Sequence, residues 1–133
     1  MRSSPPVSLR NLRNGRTLAR VVETAFDSAA RRRGLLGRHE MPPDTALVIA
    51  PCGAVHTFGM RFPIDIVCAH RDGRILTARS NVPPWRLTGA WRAFAVIELA
   101  AGVIDRSGTR RGDRLEVVAA ESSPFLVETL DGP

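Results

Sequence analysis

Ile64-Asp65-Ile66-Val67-Cys68-Ala69-His70 runs with almost no polar break into Arg71-Asp72-Gly73-Arg74. A short apolar run that ends on a turn signal reads as a strand covered on both faces. Asp72-Gly73 supplies the hairpin turn, so Ile75–Arg79 is predicted to return beside it. Pro63 stands at the first strand position, where a missing N–H is tolerated. Upstream, Val55–Met60 alternates and is predicted to carry His56, Phe58 and Met60 on one face of a strand. Pro51-Cys52-Gly53 separates that strand from a short apolar one over Ala46–Ala50.

Farther out the pattern repeats. Asn14-Gly15 joins Val7–Leu12 to Thr17–Val22 as a hairpin. Ala93–Leu99 and Arg114–Ala120 are further strands, the latter with Leu115, Val117 and Ala119 on one face. Asn81–Arg92, with Pro83, Pro84 and both tryptophans, reads as a long loop, and Ala101–Arg111 as a Gly-punctuated connection. Thr24-Ala25-Phe26-Asp27 has the form of a capping box. Arg31–Arg33 then place cations in a last helical turn, with Gly34 just beyond. The predicted fold is mainly β: a compact antiparallel barrel or sandwich-like domain with one short α-helix at about residues 25–33. Residues 1–133 read as a single domain with a core over about 17–118 and tails at 1–6 and 121–133.

The 133 residues carry 19 basic and 13 acidic side chains, and every basic one is Arg. The chain has neither Lys nor Tyr, which excludes Schiff-base and P-loop lysines and a tyrosine general acid. A net charge of +6 attracts polyanions non-specifically. An Arg-for-Lys bias throughout the chain explains the same numbers, so no specific nucleic-acid partner is expected. No apolar run reaches membrane-spanning length. The N-terminus shows no apolar signal region, so a cytoplasmic location is expected. Two cysteines make no disulfide framework, and both are expected as thiols.

Candidate chemistry is sparse. Cys52, His56, Cys68 and His70 do not follow the ligand spacing of structural zinc sites, so no metal or cofactor is expected. Cys52 and His56 form a candidate nucleophile–base pair, with Asp65 available to orient the imidazole. Asp65 and Glu98 each stand in a strongly apolar strand, where a carboxylate needs partners. Together they could do acid–base work, or each could satisfy backbone N–H groups. Arg111-Gly112-Asp113 spells an adhesion tripeptide, but Gly-Asp there reads as the turn into the last strand.

Four segments in order resemble one family. They are Arg32-Arg33-Gly34-Leu35-Leu36-Gly37-Arg38 with Met41-Pro42, the run from His56 to Val67, Asp72-Gly73-Arg74-Ile75, and Val96-Ile97-Glu98-Leu99-Ala100-Ala101-Gly102 with Gly112-Asp113. This pattern is similar to that of DUF192, a bacterial and archaeal domain of unknown function, over about residues 17–118. The resemblance implies a compact, mostly β, barrel-like domain with one short helix, and no established reaction or cofactor. Gly59 departs from the family pattern, which often has Trp there.

The leading expectation is a non-catalytic accessory domain that binds a small ligand or a protein segment. Its cleft is expected near His56, Met60 and Asp65, under the Trp85–Trp91 loop. The alternatives are an enzyme using Cys52/His56 or Asp65/Glu98, and an Arg-mediated nucleic-acid binder.

Overall fold

A computed structural model describes residues 7–27 and 40–119. The strands in chain order are β1 (Val7–Asn11), β2 (Thr17–Ala19), β3 (Val21–Ala25), β4 (Thr45–Ile49), β5 (Ala54–His56), β6 (Ile64–Ala69), β7 (Ile75–Val82), β8 (Leu87–Gly89), β9 (Ala95–Ala100) and β10 (Leu115–Ala119). One short helix, α1 (Val103–Ser107), lies between β9 and β10. The fold is mainly β, as the sequence predicts.

Three sheets form, in the orders β10-β1-β2, β3-β4-β9-β6-β7 and β5-β8. All pairs are antiparallel except β3 with β4. Among the described residues these sheets do not close into a barrel. Of the helix predicted at about residues 25–33, only residues 25–27 are described. Ala25 ends β3, Phe26 and Asp27 are not helical, and the rest of that range lies outside the described residues.

All six residues of β6 are buried, because the five-stranded sheet has a core on each face. On one face Ala46, Val67, Ile97 and Leu99 pack with Leu9, Leu18 and Leu115 of the three-stranded sheet and with Val103 and Ile104 of α1. On the other, Leu47, Ile49, Ile64, Ile66, Cys68 and Val96 pack with Met41 and Met60. Met60 is therefore a buried core residue. Burying this apolar surface on both sides is the main favourable term for such a sheet.

Two local predictions change for physical reasons. The alternation over Val55–Met60 remains strand only to His56, because the chain turns at Gly59, whose φ of 80° suits glycine. The Ala101–Arg111 connection contains α1, which opens at Gly102 and ends at Gly108, both left-handed. In β10 Leu115 faces the core, whereas Val117 is exposed. Gly73 is required in the β6–β7 turn: its φ is 93°, and a Cβ there would collide with the Leu115 carbonyl.

Candidate functional site

Asp65 is fully buried on the Leu99 side of the five-stranded sheet. Its Oδ1 accepts the Asn81 N–H at 2.7 Å, and its Oδ2 accepts those of Ile104 at 2.8 Å and Gly102 at 3.2 Å. Asn81 has φ 54° and falls where the β6–β7 register slips, so its N–H leaves the ladder as in a β-bulge. Gly102 and Ile104 carry orphan donors of the first turn of α1. One carboxylate thus closes a bulge and caps a helix. The three donors come from two segments distant in sequence.

Glu98 is buried too, but it pairs in register with Ile66 and Leu47, which belong to the opposite core. Residues directly opposite in a ladder share a face. Asp65 and Glu98 therefore point to opposite sides of the sheet and cannot act on one substrate. Of the two alternatives for these carboxylates, Asp65 takes the one in which it satisfies backbone N–H groups.

The Cys52 thiol donates to the Ala54 carbonyl at 3.1 Å, and His56 Nδ1 accepts the Phe58 N–H at 3.2 Å. The Cys52 thiol and His56 Nδ1 are thus each engaged with neighbouring backbone and not with one another. Cys52 and Cys68 are free thiols. Burial pushes the Cys68 thiol up. Among the described residues no cluster of His, Cys, Asp and Glu is arranged to hold a metal. No described helix is long and apolar enough to cross a membrane.

Thr57 organises the surface that remains. Its hydroxyl donates to the Pro83 carbonyl at 2.8 Å and accepts the Arg86 N–H at 2.8 Å. Its N–H donates to the Arg86 carbonyl, and its carbonyl accepts the N–H groups of Trp85 and Met60. These bonds lock residues 57–60 to residues 83–86. Outside the lock, the His56 ring stacks on Phe58 at 4.8 Å between centroids, and Phe58 stacks on Trp85 at 5.7 Å. Phe58, Trp85 and Leu87 are 45%, 65% and 72% exposed. Trp85 sits at φ 68°, uncommon for a bulky residue. The result is a rigid aromatic ledge in water. Trp91 is 87% exposed but is no part of this stack.

Sequence reasoning passed over Thr57. The available signal was parity, since Thr57 alternates with His56 and Phe58 and so faces inward. A second polar centre was also missed. The buried Asp113 carboxylate takes Arg13 Nε at 2.6 Å and Nη2 at 3.0 Å, Asn11 Nδ2 at 2.8 Å and the Arg110 N–H at 3.0 Å. The bond from Arg13, more than any other cause, holds Asp113 well below the usual carboxylate range. Asp113 is thereby unavailable to an adhesion receptor.

Beside the ledge, a groove of about 680 Å³ lies between β7 and β8, lined among others by Arg79, Asn81, Arg86, Leu87 and Thr88. A second hollow of about 450 Å³ continues along β7 past Arg79 to Trp91 and Arg111. Both volumes fall within the ordinary range of ligand sites.

This small β domain, with a sheet buried on both faces, an Asp-capped helix and an exposed ledge, has known relatives. Residues 10–117 match the model of DUF192, described as an uncharacterized ACR, and the chain belongs to that family. A crystal structure of a "putative transcription regulator" from Sinorhizobium meliloti is similar at a TM-score of 0.72 and 28% identity, covering 88% of this chain and 98% of that one. A protein of unknown function from Novosphingobium aromaticivorans is similar at a TM-score of 0.70 and 26% identity, covering 84% and 83%. No curated protein matches the chain.

Proposed function

We propose that the protein is a non-catalytic binding domain whose contact surface is the His56–Phe58–Trp85 ledge. The observation that carries this is the stack itself. Large rings lie together in water on backbone that Thr57 holds fixed. Single exposed apolar residues are ordinary, but a contiguous and rigid group of them marks a contact surface. Stacked faces suit a planar or apolar group on a small ligand or a protein side chain. The test is amide-resonance mapping with a library of small aromatic fragments. Shifts are expected at residues 55–58 and 84–88, and Phe58→Ala with Trp85→Ala should abolish them while the remaining spectrum persists. Shifts confined to other residues would refute the ledge.

The description of the Sinorhizobium meliloti relative supports a second reading, nucleic-acid contact through exposed arginines. Attraction of that kind is non-specific and falls steeply as salt rises. We expect oligonucleotide binding to vanish between low and physiological salt, with no sequence preference. A sequence-selective complex that survives physiological salt would replace the first reading with the second.

A further inference from the structure

β7 is the last strand of its sheet, with β6 as its one neighbour, and β8 likewise has only β5 among the described residues. The two strands follow each other closely in the chain, yet they do not pair. The groove lies between them. Of the β7 backbone, Ile75 is bonded outward to Gly112 and Asp113, and the Asn81 N–H goes to Asp65. The outward groups between these points have no described backbone partner. An edge strand in that condition is a template for a further strand.

The charged residues that line the two hollows are all cationic, although Asp105 of α1 accepts the Ser80 hydroxyl of β7 at 3.3 Å. Arg79 and Arg86 line the groove, and Arg79 and Arg111 line its continuation. Neither hollow has an Asp or Glu in its lining. None of these three arginines is ion-paired with a described residue. Self-pairing of two copies along β7 would set Arg79 and its neighbours against the same cations, and like charges across a strand pair are unfavourable. An acidic partner meets no such obstacle.

We propose that the groove between β7 and β8 takes an extended acidic segment of a partner protein as an added β-strand. Main-chain bonds to the free edge of β7 supply affinity, as in other strand-addition complexes. Arg79, Arg86 and Arg111 select acidic side chains. The added strand's remaining face lies against Leu87 and Thr88. This surface adjoins the ledge and shares Leu87 with it, but no stacked ring lines it, so the proposal does not rest on the ledge reading, and loss of Phe58 and Trp85 leaves it intact.

The test uses the full chain and a short fluorescein-labelled peptide in which Glu and Val alternate. Saturable binding by anisotropy is expected, with slowed amide exchange over residues 76–80. N-methylation of alternate peptide amides should abolish binding, because it removes the main-chain donors without touching charge. Arg79→Glu with Arg111→Glu should weaken binding about tenfold or more, and circular dichroism checks that this variant is folded. Three results would overturn the proposal. One is absence of saturable binding to the folded wild-type chain. Another is equal binding of the N-methylated peptide, which would reduce the contact to charge attraction. The third is a dimer of the chain, sensitive to Arg79→Glu, that occupies this edge instead.

Discussion

Two regions of this molecule break the usual sorting of residues in opposite directions. Around Asp113 the fold takes polar groups inside. Asn11, Thr109 and Asp113 are all buried, and Ser107 and Arg13 complete their hydrogen bonds. Around Phe58 it leaves apolar groups outside, with three rings stacked in water. The first violation is fully accounted for within the chain, since every strong donor aimed at the carboxylate is satisfied. The second has no such account, because the rings are stacked on one another with Phe58 and Trp85 still largely open to water. Buried polarity that is fully partnered is structure. Exposed apolar surface held rigid is what a second molecule would complete.

Asp65 belongs with Asp113 on the inward side. Asp65→Ala leaves the N–H groups of Asn81, Gly102 and Ile104 without their acceptor. A loss of about 3 kcal/mol is expected in urea denaturation, since buried donors left unmet are costly. Asp65→Asn should recover only part of it. A loss within experimental scatter would mean that the carboxylate is dispensable to the fold.

Asp113 sharpens the same side through pH. Arg13 lowers its pKa, so the folded state holds the proton less readily than the unfolded chain, whose value is about 3.9. The stabilisation is complete above that value. It declines as pH falls below it towards the lower folded value. Asp113→Asn should therefore cost about 2 kcal/mol near neutrality, and the difference from wild type should shrink on acidification below about pH 4. A constant difference across that range would mean that Arg13 does not lower the carboxylate.

Thr57 stands where the two regions touch in kind: a buried polar group that holds up exposed rings. Thr57→Val keeps the shape and removes the hydroxyl that joins Pro83 and Arg86. About 1 kcal/mol should be lost, and amide exchange at Arg86 should speed up. Unchanged exchange at Arg86 would show that the ledge is rigid for another reason.

What the sequence made legible follows the same division. The strand over Ile64–Ala69 was readable because burial on both faces writes a continuous apolar run. The Asp72-Gly73 turn was readable because its chemistry is local. Whether Asp65 and Glu98 share a site stayed open because the face of each residue depends on ladder register, which Ile66↔Glu98 and Asp65↔Leu99 fix only after folding. The helix α1 was hidden for a similar reason. It is five residues long, and its cap is a carboxylate 37 positions upstream of Gly102. Trp85 and His56 were recognised as candidate residues, but Thr57, which brings their segments together, bonds to residues 26 and 29 positions away. In each case the missed partner is distant in sequence, and no local pattern records it.

The smallest expected effect belongs to the outward side and decides whether the two regions differ as argued. Phe58→Ala with Trp85→Ala removes two large rings. Were they core residues, each truncation would cost about 3–5 kcal/mol. Here 45% of Phe58 and 65% of Trp85 already face water, and the two rings stack on each other. The backbone beneath is held by Thr57 through groups that the substitutions leave in place: the Trp85 N–H, the Arg86 N–H and the Pro83 carbonyl. Stacking of the rings adds about 0.5–1.5 kcal/mol at most, and the loss of exposed apolar surface partly offsets it. The double variant should therefore unfold within about 1 kcal/mol of wild type. Measured by urea denaturation, a loss of core magnitude would make the ledge part of the fold's own packing and end the contrast with Asp113. A near-neutral result leaves rigid stacked rings that stability does not require, which is the condition a binding surface must meet.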